Sequence, residues 1–320
     1  FYRKPNIFVG TCTPPDKHGF VSLGLSVTYE QEMIDNADLI ILEVNENTPR
    51  TLGDTTVHVS RIDYFIEHNL ALPELPVLPF SAKDGIIGEA IAALVEDEST
   101  VQLGIGGIPN AVAQGLLGKK DLGIHTEMFT DGMVDLYEAG VITNRKKTLH
   151  PDKFVATFAL GTKKLYDFID DNPAVQLLRG RYTNDPYVIG RNAKMVSINT
   201  TLEMDLTGQC CSESIGLMQF SGTGGQADTA IGAQISPSGK SVIALYSTAK
   251  NDTISKIVPY LTPGAAVSLQ RNDVDYVVTE YGIAQLRGTS IRERVRRLVS
   301  IAHPKFRDYL QEEADKLKIW

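Results

Sequence analysis

Short apolar runs that empty into a turn and then a helix recur along this chain, and that rhythm constrains its fold more than any other feature. Residues 100–103 (TVQL) read as a strand that runs into GIGGIPNAVAQGL (104–116), a glycine-rich turn followed by a helix starting near Pro109. Such a junction points backbone N–H groups and a helix N-terminus at whatever lies above the strand, so it can accept an anion. Upstream, residues 84–95 place Ile86, Ile87, Ala90, Ile91, Leu94 and Val95 on one helical face. Downstream the pattern predicts strand 125–129 with helix 131–138, strand 154–158 with helix 163–169, and strand 175–178 leaving into RGRYTNDP (179–186). It continues through strand 195–206, the loop SGTGGQAD (221–228), and strands 241–246, 254–258, 266–269 and 276–278. Two helices follow, 291–301, with Arg292, Arg294, Arg296 and Arg297 facing out, and 305–318. Strands alternating with helices indicate an α/β fold with a mostly parallel sheet.

The opening block reads differently. Residues 7–11 predict a strand, 14–19 (PPDKHG) a turn, and ADLIILEV (37–44) a strand buried on both faces. Residues 45–50 form a polar loop and 55–66 a mixed strand and turn region. LPELPVLP (72–79), with three prolines, then reads as a linker. The block looks like the tail of a domain, and because FYRKPNIFVG runs straight into strand-like sequence, the natural N-terminus is expected to lie upstream of Phe1.

A length of 320 residues accommodates a sizeable core and two domains. The net charge of −8 argues against a nucleic-acid or anionic-membrane partner held by bulk electrostatics, while leaving room for a local basic pocket. Neither a signal peptide nor a membrane-spanning apolar run is evident. Three cysteines, Cys12, Cys210 and Cys211, give no disulfide framework and no zinc spacing, which fits a reducing cytoplasm.

Chemistry concentrates at the end of strand 195–206. There Val196, Ile198, Leu202, Met204 and Leu206 share one parity, and Ser197, Asn199, Thr201, Glu203 and Asp205 the other. Glu203 stands just before the turn at Thr207-Gly208, a carboxylate able to act as a nucleophile, although the strand pattern alone favours a solvated face, since most strand carboxylates are simply wet. The glycine loop 104–107 matches neither a dinucleotide fingerprint nor a P-loop and reads as a generic tight turn or a binding loop, but a second glycine loop, 222–225, lies close downstream of Glu203, and two such loops around one carboxylate favour a site. No two of the six histidines stand at metal-ligand spacing on a helix, so each reads as structural and no metal is expected. Ser212 and Ser214 lack a nucleophile elbow. Cys210 and Cys211 are close enough to line the same cavity, or are small buried thiols. Arg179 and Arg181, at a strand end, are candidates for phosphate contact or solvated charges.

Seven segments then carry a resemblance: QLGIGGIPNAV (102–112), GIHTEMFTDGMVDL (123–136), RYTNDPYVI (181–189), NTTLEMDLTGQCCSESIG (199–216), SGTGGQAD (221–228), TISKIVP (253–259) and DVDYVVTEYGIAQLRG (273–288). Together, and in this order, they resemble the acetyl-CoA hydrolase/CoA-transferase family, in its 4-hydroxybutyrate and butyryl-CoA:acetate branch. The resemblance implies two related open α/β domains with mostly parallel sheets and the active site between them. Residues 1–75 would be the C-terminal part of the first, only partly present, and 76–320 the whole of the second. It implies a ping-pong transfer of CoA in which Glu203 forms a glutamyl-CoA thioester. Coenzyme A is then substrate and covalent intermediate, with no permanently bound cofactor. CoA contacts map onto Leu178, Arg179, Gly180, Arg181 and Tyr182, with Ile254 and Gly282. The implied partners are acyl-CoA and small carboxylic acids, with self-association as a homo-oligomer open. Glu213, in CSES, resembles the nucleophile of related two-subunit transferases but lacks the asparagine and glycine that follow it there. A thioester hydrolase using the same anhydride and a non-catalytic CoA-binding module are the alternative readings.

Overall fold

The computed structural model describes residues 4–319. Its centre is a six-stranded sheet in the order Gly282–Gln285, Tyr276–Thr279, Lys240–Ala244, Met195–Thr200, Thr100–Leu103, Gly123–Ile124. All neighbours are parallel except the first pair, a hairpin that closes one edge. The central strands are buried on both faces, as parallel sheets require. Val196, Ile198, Val242 and Ala244 join one core with Ile87, Ile91 and Val112, whereas Ile243 and Leu245 join another with Ala230 and Leu298. Helices Ala82–Leu94 and Gly107–Gly115 cover the first face in close contact. A Cβ on Gly88 would lie 2.6 Å from the Ala111 carbonyl carbon, so only glycine permits their approach there.

A three-stranded parallel sheet of Ile7–Cys12, Leu39–Val44 and Tyr64–Glu67 forms the opening block. ADLIILEV is buried on one face only: Ile40, Leu42 and Val44 point inward, while Leu39, Ile41 and Glu43 on the other face are half-buried. Residues 72–79 carry no regular structure and are pinned by Leu75 N–H to Gly161 O (2.9 Å) and Tyr166 Oη–H to Pro73 O (2.7 Å).

The pattern misplaces several elements. The expected strand over 195–206 breaks after Thr200, because Thr201 N–H still donates to Ala244 O but Leu202 N–H donates to Cys211 O. The chain thereby leaves the large sheet for a small one, in which Glu203–Asp205 pairs antiparallel with Cys210–Cys211 and parallel with Ile257–Val258. Ser197, on the supposedly wet parity, is fully buried. The expected strands 125–129, 154–158 and 254–258 are each split or shifted into pairs of two- or three-residue strands. Residues 266–269 hold no strand, only a bridge between Cys210 and Leu269. The glycine loop 221–225 opens into an unanticipated helix, Gln226–Ile235. Arg294 does not face out. It is buried, with Nη1 donating to Arg271 O (2.7 Å) and Thr207 O (3.2 Å). Ile86 is exposed, off the buried face of its helix. Among the described residues, no helix is long and apolar enough to cross a membrane, and no cluster of His, Cys, Asp or Glu is placed to hold a metal ion.

Candidate active site at the Glu203 strand

The small sheet orients Glu203. Met204 is fully buried and paired with Ile257, so its neighbours on the strand point the other way. Asp205 is consumed by its own turn: it accepts from Thr207 N–H (2.9 Å), Thr207 Oγ1–H (2.8 Å), Gln209 N–H (3.0 Å) and Gln209 Nε2–H (2.7 Å). Glu203 is half-buried, and each carboxylate oxygen takes one donor from exposed Thr262, the backbone N–H on Oε1 (2.8 Å) and Oγ1–H on Oε2 (2.7 Å). Glu213 is buried and braced from two sides, by Gln219 Nε2–H (3.2 Å) and Ser268 Oγ–H (2.7 Å).

Beside this sheet lies a cavity of about 620 Å³, walled by the two glycine loops predicted to line a site, 104–105 and 221–225. Gln102 and Asn199 are among its polar lining, with Glu127 on another wall. An adjoining cavity of about 220 Å³ shares Ile105, Pro109, Thr200 and Ser212 with it and reaches Thr201, Leu202 and Lys256. Glu203 lines neither, although Leu202 before it and Ser212 next to its strand partner Cys211 do. A Cβ at 225 would lie 2.0 Å from Glu127 Oε2 and 2.7 Å from Asn184 Nδ2, so a side chain there would displace that pair.

The charges around these cavities are displaced by burial. Lys256 has its pKa lowered by desolvation, with Nζ 3.4 Å from Thr201 O and 5.6 Å from the centre of the Tyr246 ring. Burial, and then its hydrogen bond to Asp84, pushes the Tyr246 phenol up to about 12. Burial also raises Asp228, with Glu127 and Asp185 adding to the effect. Cys210 and Cys211 are fully buried free thiols, and burial pushes Cys210 up to about 11.

The residues expected to contact CoA fall into two groups. Leu178 is buried. Gly180 N–H donates to Thr28 O (3.1 Å), and Tyr182 Oη lies 2.7 Å from His150 Nε2. Arg179 pairs with Asp35 (2.9 Å) and Glu32 (3.3 Å), and Arg181 with Glu32 (3.1 Å), so both guanidinium groups meet an acidic helix, Glu30–Asn36. This stretch reaches the large cavity through Asn184, whose Nδ2 donates to Glu127 Oε2 (2.8 Å). Ile254 and Gly282 lie instead on the Lys83 side, where Lys83 bridges Asp252 (2.7 Å) and Glu280 (3.7 Å). None of the seven lines the large cavity. Sequence reasoning missed Thr262, Gln102, Asn199 and Lys256, and only the polar parity of Asn199 signalled any of them. Of the six histidines read as structural, His125 alone is buried, with Nε2 2.8 Å from Thr183 O and a pKa pushed by burial to about 3.

Residues 2–77 match the acetyl-CoA hydrolase/transferase N-terminal domain, and residues 161–314 the C-terminal domain of the same family. The 4-hydroxybutyrate coenzyme A transferase of Clostridium kluyveri is 51% identical, over 99% of this chain and 76% of that protein. The succinyl-CoA:cyclohexane-1-carboxylate CoA transferase of Geobacter metallireducens is 52% identical, over 95% of this chain and 70% of its own length. The crystal structure of the 4-hydroxybutyrate CoA-transferase from Porphyromonas gingivalis superposes with a TM-score of 0.89 at 43% identity, covering 99% of this chain and 76% of that one. The chain thus belongs to the acetyl-CoA hydrolase/transferase family of enzymes and has its α/β fold.

Proposed function

We propose that the chain transfers CoA between a short-chain acyl-CoA, 4-hydroxybutyryl-CoA or butyryl-CoA, and a carboxylic acid such as acetate, through a thioester on Glu203. The observation that carries this reading is the placement of the Glu203 carboxylate. Glu203 opens the short strand Glu203–Asp205, its carboxylate oriented by two donors from one exposed loop residue, and its neighbours Leu202 and Ser212 line the cavities by the glycine loops. A nucleophile has to be oriented and still able to leave its hydrogen bonds, and a carboxylate held by one loop residue meets both demands.

The steps balance without an added proton. A Glu203 carboxylate oxygen bonds to the acyl carbonyl carbon, the C–S bond breaks, and CoA leaves as thiolate. The thiolate then attacks the glutamyl carbonyl of the mixed anhydride, forming the glutamyl thioester and releasing the donor acid as carboxylate. An acceptor carboxylate reverses both steps. Each tetrahedral oxyanion needs donors in place beforehand, and backbone N–H groups of the glycine loops are the candidates. In this reading Leu178 to Tyr182 contact one part of CoA, Ile254 and Gly282 another. Residues 1–75 and 76–320 are the parts of two domains, and the enzyme works in the cytoplasm, with homo-oligomer formation left to the same proposal. Exchange of labelled acetate into acetyl-CoA, dependent on an acyl-CoA donor, tests it. Release of free acid at the same rate with and without acetate would favour the hydrolase instead.

A further inference from the structure

The smaller cavity, of about 220 Å³, has one charged side chain in its lining, Lys256. Its place follows from the sheet that orients Glu203. Met204 N–H donates to Lys256 O (2.9 Å), and Met204 and Ile257 are paired and fully buried. Lys256 and Glu203, each one residue earlier, therefore stand side by side on the other face of that ladder. They do not pair. Both Glu203 oxygens are taken by Thr262, and among the described residues no carboxylate forms an ion pair with Lys256. An ammonium group has three N–H donors to satisfy. One reaches Thr201 O at 3.4 Å, and the Tyr246 ring centre lies 5.6 Å away. Glu280 acts on the Lys256 charge from beyond ion-pair distance, with its own carboxylate held by Ser247 N–H (2.9 Å), Ser247 Oγ–H (2.8 Å) and Lys83 (3.7 Å). Desolvation lowers the Lys256 pKa and Glu280 only partly restores it, so the cavity holds a cation short of its counter-charge.

Transfer through Glu203 brings two kinds of anion to this place, the CoA thiolate and the carboxylates of the donor and acceptor acids. The thiolate ends a long arm whose remote contacts can position it. A short acid has no such handle, and its one strong means of attachment is the carboxylate itself. Walls from Ile105, Leu202 and Leu245 suit the short chain of such an acid and strengthen a charge pair by excluding water.

We propose that Lys256 binds the carboxylate of the free acid, holding it in the smaller cavity beside Glu203 for attack on the glutamyl thioester. The inference rests on the transferase reading above and adds the residue of that site that takes the acceptor. The test measures transfer from butyryl-CoA to acetate in the wild type, Lys256→Met and Lys256→Gln, with three readouts: KM for acetate, KM for butyryl-CoA, and the rate at which butyryl-CoA alone forms a CoA thioester on the protein. A KM does not depend on the active fraction of a preparation, and two neutral replacements of similar length guard against one that fails to fold. Each variant should raise KM for acetate by about tenfold or more, with KM for butyryl-CoA and the rate of thioester formation within about threefold of wild type. An unchanged KM for acetate, a parallel rise in both KM values, or loss of thioester formation in both variants overturns the acid site and leaves the transferase reading standing. Absence of transfer in the wild type overturns the transferase reading, and the acid site with it.

Discussion

Glu203 and Glu213 are ten residues apart, on either side of one tight turn, yet their surroundings differ in kind. Glu213 is knitted into its hairpin. Its carboxylate braces Gln219 and Ser268, and its own carbonyl accepts from Phe220 N–H (2.8 Å) and Ser221 N–H (3.3 Å). Glu203 is tied to one exposed loop residue, with only its backbone built into the sheet. A carboxylate that must form and break a covalent bond needs alignment without permanent bracing, whereas one that holds a hairpin needs the bracing. On that contrast the proposal gives the reactive role to Glu203 and a structural one to Glu213.

The sharpest break between them is substitution. Glu203→Ala should lower transferase activity by at least about a thousandfold while leaving the melting curve close to wild type, because it removes a nucleophile from a half-buried polar position. Glu213→Gln should cost stability, about 1–3 kcal/mol in a denaturant titration, and reduce activity of the folded protein by less than about tenfold. The reverse pattern would exchange the two roles. A finer cut is Thr262→Val, which keeps the backbone donor to Oε1 and removes the hydroxyl donor to Oε2. It should lower kcat by about tenfold with little change in KM, since what is lost is alignment of the carboxylate. A rise in KM alone would assign Thr262 to substrate binding. The smallest effect is expected at the periphery. Replacing Arg179 and Arg181 together by alanine should raise KM for acyl-CoA severalfold and leave turnover of a truncated pantetheine thioester nearly unchanged. Both arginines already meet Glu32, so a hold on CoA phosphates would compete with an existing pair. Equal losses on both substrates would remove them from the CoA site.

How far such contrasts can be read from sequence depends on the range of the interactions that make them. The helix over 163–169 coincides with the expected bounds, and the βα junction at 104–107 stands where the glycines put it, since both follow from local periodicity and turn chemistry. The pattern places Glu203 near the end of one long strand, whereas it opens the separate short strand Glu203–Asp205. The break after Thr200 was not legible, because it depends on whether Ala244 or Cys211 offers the next carbonyl, a matter of tertiary arrangement. Arg294 looked like an outward charge among four arginines, and only the arrival of two carbonyls, from Thr207 and Arg271, makes its burial tolerable. Helix Gln226–Ile235 was hidden by its small residues, whose apolar stripe is too weak to register as a periodic pattern. Thr262 carried no local signal at all: its role exists only because a distant loop lies over the Glu203 strand.

The most direct test of covalent catalysis at Glu203 is chemical trapping of the full protein with acyl-CoA and no acceptor acid, followed by borohydride reduction, digestion and mass spectrometry. Borohydride reduces a glutamyl thioester and spares a free carboxylate, so the modified residue reports which carbonyl carried CoA. The account predicts a reduced, hydroxyl-bearing side chain at Glu203, with Glu213 unmodified in the same peptide. Reduction at Glu213, or no modified glutamate in a preparation shown to be transferring CoA, would contradict it.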